Sequence, residues 1–315
     1  MIKIGAINID VSHPFAFSQI VAKGDRARYA AVYNDGFRSQ KELQAFAEKM
    51  GLTVCDSLEE MAQIVDIGFV HSCNWDKHLS YAMPFIAQNK PVFIDKPIVG
   101  NLQDLEKLRQ LMENGAKILG TSALRYCKEV AQTNQKLQEN NVMPLHTVTT
   151  VGVDEFNYAI HAVELICGIH RGKPLSCRHM AHTQIAERGC DNYLIRFDDG
   201  STAQYITVDH KFAKFNTVVL GNGQFPTVDC CFEVDNTAFY QTMLDRVCDY
   251  METGVNTLAT CEQMCDAIRI MLAGKASLLN GDREVGLDDP VLLQTRFDGD
   301  AFEKEYAANA KEIYL

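Results

Sequence analysis

The first third of the chain alternates short apolar runs with amphipathic stretches, the pattern that a parallel sheet covered on both faces by helices produces. Ile2 to Ile7 predicts a first strand. Tyr29–Tyr33, Thr53–Cys55, Ile67–Val70, Val92–Ile94 and Lys117–Leu119 predict five more, each preceded by a helical segment. Leu43, Phe46, Ala47 and Met50 recur at i, i+3, i+4 and i+7, and Leu79, Met83 and Ile86 make a second stripe of that period, so both faces are expected against the sheet. Ser57-Leu58-Glu59-Glu60 has capping-box spacing at a helix start. Six strands in β-α-β order predict a doubly wound α/β domain whose ligand crevice lies at the carboxyl ends of its strands.

From about Arg125 the rhythm changes to one amphipathic segment, a strand, a helix around His161 and a series of extended runs. Cys177 to Ile185 alternates, and Tyr193–Phe197 turns through Asp198-Asp199-Gly200 into Thr202–Val208 as a β-hairpin. Runs at Asn216–Leu220 and Thr227–Val234 extend this into a mostly antiparallel open sheet, and helices near 237–252 and 259–279 precede a charged tail. The expected organisation is two closely joined domains, 1–122 and an α+β domain at 123–315, with the last helices packing back on the first.

Composition narrows the function. A chain of 315 residues suits two domains, and 41 acidic against 30 basic residues leave a charge of −11, the wrong sign for neutralising nucleic-acid phosphates. No stretch reaches the roughly 18 uninterrupted apolar residues of a membrane span. The start at Met1-Ile2-Lys3 lacks the pattern of an export signal, and eleven scattered cysteines fit reduced thiols, so a cytoplasmic location is expected. No metal site is expected: Cys230-Cys231 and Cys261-x-x-x-Cys265 have no partner pair in zinc-like register, and His179 and His182 fall on opposite faces of their strand. Neither a His-Glu-x-x-His nor a Gly-x-Ser-x-Gly element is present, which argues against zinc-protease and serine-hydrolase chemistry.

The most informative constellation is Pro91-Val92-Phe93-Ile94-Asp95-Lys96-Pro97, a buried strand whose end places a lysine at the crevice. Asp95-Lys96-Pro97 resembles the Glu-Lys-Pro motif of the Gfo/Idh/MocA family of two-domain, nicotinamide-dependent oxidoreductases. Asn74-Trp75-Asp76-Lys77-His78 resembles that family's loop ending in His, and Asn157-Tyr158-Ala159-Ile160-His161 with Gly168 resembles its Asp-x-x-x-His element. The hairpin at Phe197–Gly200 and Gly221-Asn222-Gly223 are similar to its substrate-domain sheet. The resemblance implies a Rossmann-like first domain, NAD(P)-dependent hydride transfer on a sugar, inositol or related polyol, and a homo-oligomer. Residue by residue, it implies Lys96 and His161 as catalytic groups and Asn157, Tyr158 and Arg125 at the substrate. Asn8, Ile9, Asp10, Ser12, His13, Asp35, Asn74, Trp75, His78 and Asp95, with Lys96, are implied at the cofactor. An imidazole can take a substrate hydroxyl proton near neutrality and a positioned ammonium can stabilise the resulting oxyanion. On one helix, positions 157 and 161 would share a face.

Two departures matter. Where the family has Gly-x-Gly-x-x-Gly, this chain has Asn8-Ile9-Asp10-Val11-Ser12-His13, with none of the glycines that admit a pyrophosphate. Like charges about 4 Å apart repel by about 4 kcal/mol at an effective dielectric near 20, roughly a thousandfold in affinity, so Asp10 must point away or the pyrophosphate is not bound in the usual manner. Ser12 and His13 could donate to phosphate, or cap the helix that Pro14 begins. Asp35 favours NAD through the ribose hydroxyls, while Arg38 could receive the extra phosphate of NADP. The second departure is Asn157, an amide where many relatives have an aspartate, with Asp154 and Tyr158 as alternative polar partners for His161. Two other readings stand beside the dehydrogenase: a non-catalytic sugar-binding or regulatory protein, and a lyase or glycosidase using transient oxidation.

Overall fold

The computed structural model describes residues 1–209, 214–223, 229–235 and 238–315. Its first part runs β1 (Ile2–Ile7), α1 (His13–Val21), β2 (Ala27–Tyr33), α2 (Gln40–Met50), β3 (Thr53–Val54), α3 (Leu58–Ile64), β4 (Ile67–Val70), α4 (His78–Ala87), β5 (Val92–Ile94), α5 (Leu102–Glu113) and β6 (Ile118–Gly120). The six strands are parallel in the order β3-β2-β1-β4-β5-β6, so the winding reverses between β1 and β4. Ligand crevices open at that reversal.

Local chemistry explains most element ends. Ser39 and Glu42 form a full capping box on α2, and Gly51, at φ 66°, closes it in the left-handed conformation that glycine adopts without a Cβ clash. On α3 the Ser57 hydroxyl accepts from the Glu60 amide, but the Glu60 carboxylate turns to the amide of Asp56, so half of the expected box forms. The stripe expected on α4 is rotated. Leu79, Ala82 and Phe85 are buried and Met83 is 38% exposed, because Gly68 on β4 leaves a space that the Phe85 ring fills. A Cβ at Gly68 would lie 2.7 Å from that ring.

A 3₁₀ turn at Ala123–Tyr126 leads to α6 (Lys128–Glu139), β7 (Pro144–Gly152), α7 (Ala159–Ile169), β8 (Pro174–Ile185), β9 (Arg188–Phe197), β10 (Thr202–Val208), β11 (Asn216–Gly221) and β12 (Cys230–Glu233). Then come α8 (Phe239–Thr253), α9 (Cys261–Leu279), β13 (Val285–Gly286), a second 3₁₀ turn at Pro290–Gln294 and α10 (Gly299–Asn309). The second sheet has the order β12-β11-β7-β10-β9-β8-β13, and all its pairs are antiparallel except β7 with β10. The hairpin turns at Gly200, φ 84°. Thr227 and position 237, at the starts of an expected strand and an expected helix, lie outside the described residues.

The two histidines expected on opposite faces of their strand do meet. A register shift between His179 and Ala181 re-aims the strand, and His179 Nε2 and His182 Nδ1 lie 3.0 and 2.9 Å from the same Asp191 Oδ1. A bulge inserts one residue on one strand, which breaks simple alternation. All eleven cysteines are free thiols, and among the described residues no helix is long and apolar enough to cross a membrane.

Candidate functional site

Lys96 stands where β5 ends, its peptide to Pro97 being cis. Burial lowers its pKa from the usual value. Its ammonium donates to the carbonyl and to the side-chain oxygen of Asn157, both at 2.9 Å, and lies 5.1 Å from the Tyr158 ring centroid. His161 packs edge-on against the same ring, the two ring centroids 5.9 Å apart. The lysine and the imidazole therefore approach the same ring. Asn157 does not share a helical face with His161 as expected: α7 begins at Ala159, because Asp154 Oδ1 accepts from the amides of Phe156 and Tyr158 and holds the preceding residues in a turn. Asn157 holds Lys96 instead.

His161 is held neutral. Burial, followed by the Lys96 charge, pushes its pKa well below the ordinary value. Its Nδ1 lies 2.5 Å from the Ser122 hydroxyl oxygen, which also accepts from the Leu124 amide, while Nε2 has no hydrogen-bond partner among the described residues. If Nδ1 donates to Ser122, Nε2 is free to accept a proton; if Ser122 donates, Nε2 carries the hydrogen and can only donate. Ser122 thus sets which proton chemistry the imidazole can perform.

Near Lys96 and His161 is a second proton-bearing group that the sequence did not reveal. Asp95 Oδ2 lies 2.5 Å from His13 Nδ1 and 3.3 Å from His71 Nδ1; His13 Nε2 meets the Tyr240 hydroxyl at 2.9 Å and His71 Nε2 meets that of Tyr29 at 3.1 Å. The two imidazoles hold the Asp95 carboxyl well below the usual range against the burial that opposes this. Asp95 and His13, expected at a cofactor, are here each other's partners.

The crevice at the ends of β1, β2 and β4 is occupied by the chain itself. Asn8, Ile9, Asp10 and Asn74 are completely buried. Asp10 Oδ2 accepts from the Cys73 amide at 3.1 Å, while its Oδ1 is buried without a partner. Burial raises the Asp10 pKa to about 6, with the nearby Glu303 adding to the rise. Asp10, Cys73 and Glu303 bring ligand-type atoms within 4.8 Å of one another. Asn74 donates to Asp300 and Glu303, Lys77 pairs with Glu303 at 2.9 Å, and the Trp75 indole donates to the carbonyl of Phe297. His78 is buried with its ring nitrogens against the carbonyls of Ser72 and Ile98, so it ties two loops together. Asp35, exposed at the end of β2, accepts from the Tyr81 hydroxyl. Arg38 is not open to a ligand phosphate: its donors reach the carbonyls of Asp10 and Lys311 and the carboxylate of Glu42. Ser12 begins α1 without a side-chain cap.

Arg125 does not join the Lys96–His161 cleft. It is buried against Glu164, its Nε donating at 2.5 Å, and lines a separate cavity of about 560 Å³ with Tyr126, His170 and Lys173. Tyr29, His71, Ser122 and Tyr240 were missed by sequence reasoning. His71 and Ser122, each at or just after a strand end, carried a positional signal; Tyr29 and Tyr240 carried none.

Residues 4–122 match the model of GFO_IDH_MocA, described as "Oxidoreductase family, NAD-binding Rossmann fold". No curated protein sequence matches the chain. Among solved structures, scyllo-inositol dehydrogenase from Lactobacillus casei with NAD(H) and scyllo-inositol is similar at TM-score 0.76 and 15% identity, covering 91% of this chain and 99% of that one. Myo-inositol dehydrogenase from the same organism, with NAD(H) and myo-inositol, is similar at TM-score 0.76 and 14% identity over 93% and 100% of the two chains. UDP-N-acetylglucosamine 3-dehydrogenase from Acidithiobacillus ferrooxidans is similar at TM-score 0.69 and 11% identity over 87% and 96%.

A dinucleotide on such a fold lays its pyrophosphate at the start of the first helix and its adenosine over the end of the second strand. Here those places hold the Asp10 carboxyl, Glu303 and the contacts between Arg38 and Lys311. The residues do not fit a dinucleotide while residues 297–315 remain in place. Residues 4–122 nevertheless match the model of an NAD-binding Rossmann-fold oxidoreductase family, and the chain as a whole shares the fold of the inositol dehydrogenases.

Proposed function

We propose that the cleft between Lys96 and His161 is the active site of an oxidoreductase acting on a CH–OH carbon of a sugar, inositol or related polyol. The observation that carries this reading is the approach of both the Lys96 ammonium and the His161 imidazole to the Tyr158 ring. A polyol offers hydroxyls that can both donate and accept. Lys96, already fixed by the two oxygens of Asn157, has donor capacity left for a substrate oxygen, and the unpartnered Nε2 of His161 can exchange a proton with it. As negative charge grows on that oxygen, a partly desolvated ammonium stabilises it more than water would. The exposed face of Tyr158 supplies an apolar surface for the C–H side of a sugar ring. NAD(H) is the hydride carrier of the matched family, and the crevice that would hold it is filled by residues 297–315.

Purified protein assayed with NAD⁺ against inositols and aldoses, following absorbance of the reduced cofactor, tests the reading. Lys96→Met and His161→Ala are each expected to lower kcat/KM by about 10² to 10⁴, the range for losing a positioned acid–base group. Because the His161 pKa is depressed, kcat/KM is expected to stay level from pH 7.5 through 6.5 rather than fall there. Undiminished turnover in both variants would sink the assignment. The filled crevice favours a second reading, a sugar-binding protein without turnover, for which calorimetry would give polyol binding that Lys96→Met weakens and NADH leaves unaltered.

A further inference from the structure

We propose that residues 297–315 act as an internal ligand of the nucleotide crevice, so that NAD(H) binds only by displacing them. The proposal rests on the reading of this fold as NAD-binding. The segment engages all three loops that a dinucleotide would need. After β1, the Tyr314 hydroxyl donates to the Val11 carbonyl at 2.6 Å, and the Tyr314 ring packs edge-on against Phe15 and Phe46. After β2, Tyr306 packs against Phe37, and Arg38 donates to the Lys311 carbonyl at 2.7 Å. After β4, Glu303 accepts from Asn74 and Lys77, both at 2.9 Å, while Phe302 packs on Trp75.

The chemistry of these contacts parallels that of the missing ligand. Glu303 is an anion set on an amide and an ammonium beside Asp10 of the loop that leads into the first helix, the loop a pyrophosphate would approach; Tyr306 is an aromatic ring against Phe37 after β2, the side an adenosine would approach. The two occupants compete for the same donors and the same apolar surface. The attachment is also imperfect, since Asp10 and Glu303 place two carboxyl groups together and leave Asp10 Oδ1 unpartnered. An occupant held by such contacts can be exchanged. When only an open minority accepts ligand, the apparent affinity falls by the open fraction, and weakening the closed form restores it.

The test uses the full chain and two variants, Tyr314→Ala and the milder Tyr314→Phe, none of which alters the Lys96–His161 cleft. NADH binding is measured by fluorescence titration, and hydrogen exchange of residues 297–315 is followed with and without NADH. The expected result is that Tyr314→Ala tightens NADH binding by about 10-fold and Tyr314→Phe by less, and that saturating NADH accelerates exchange across the segment in the unaltered protein. Tight NADH binding with exchange of the segment unchanged or slowed would overturn displacement while leaving the cofactor reading intact. Absence of NADH binding in Tyr314→Ala, with rapid exchange showing the segment released, would instead overturn the cofactor reading and the proposal with it.

Discussion

Two places on one sheet edge, the end of β5 and the ends of β1, β2 and β4, have opposite fates in this molecule. At β5, Lys96 keeps donor capacity beyond Asn157, and His161 nearby keeps Nε2 without a partner among the described residues. At the other three strand ends, loop groups of the kind that would meet a cofactor are met by the chain: Asn74 by Asp300 and Glu303, Arg38 by Lys311, Val11 by Tyr314. Since both sites stand on the same parallel sheet, the difference lies in their loops. Where the usual glycines would leave bare backbone, Asp10 and His13 bring side chains that recruit partners from distant segments. A fold inherited with its binding edge can keep one half of that edge open and close the other.

The largest expected effect on this comparison comes from Arg38. Replacing it by Met leaves Glu42 and two carbonyls without their buried donor, and breaking a buried pair of this kind costs about 3 to 5 kcal/mol. Denaturant unfolding should register this loss, and hydrogen exchange should show residues 311–315 released first. A stable, closed Arg38→Met protein would mean that the closed half is held by packing alone.

Next is Asp10. Its folded pKa lies above its unfolded value, so the native state holds an extra proton between the two, and the stabilisation present below pH 3.8 is lost as pH rises through about 6. A shift of this size corresponds to about 3 kcal/mol. The groups facing Asp10 are Glu303, Cys73, Ser72, Arg38, Tyr81, Tyr306 and Tyr314, and Glu303 adds to the loss. Asp10→Asn should therefore match the unaltered protein near pH 4 and exceed it in stability by up to about 3 kcal/mol at pH 7.5. Equal stability of the two proteins at both pH values would show that the carboxyl is not buried in solution.

The smallest effect belongs to the open half. Ser122→Ala frees His161 Nδ1 from its hydroxyl partner without touching the cleft surface. We expect kcat to fall about 10-fold with KM and melting temperature nearly unchanged, the signature of a residue that orients a catalytic group. An equal rise in KM would place Ser122 in substrate binding instead.

Much of this was legible before any fold was known. Ile67–Val70 and Val92–Ile94 form strands with the expected bounds, and the turn at Gly200 joins β9 to β10 as its residues require. Lys96 stood out as a candidate because it directly follows a buried parallel strand, at the edge where ligand crevices open. By contrast, the rotated face of α4 depended on the missing side chain at Gly68, one strand away, and the meeting of His179 with His182 depended on a bulge that no alternation pattern encodes.

The linear order of residues determined the strands, the helices and the identity of the groups at each strand end, because those follow from local periodicity, turn chemistry and side-chain pKa. It also determined that a glycine-lined phosphate loop is absent. Only the tertiary structure decided that His13 and His71 share Asp95, that Asn157 precedes the helix instead of lying on it, and that the segment around Glu303, Tyr306 and Tyr314 fills the nucleotide crevice. These contacts join residues far apart along the chain, and their strength depends on burial, which removes water as a competing partner only once the two sheets and the returning helix have assembled.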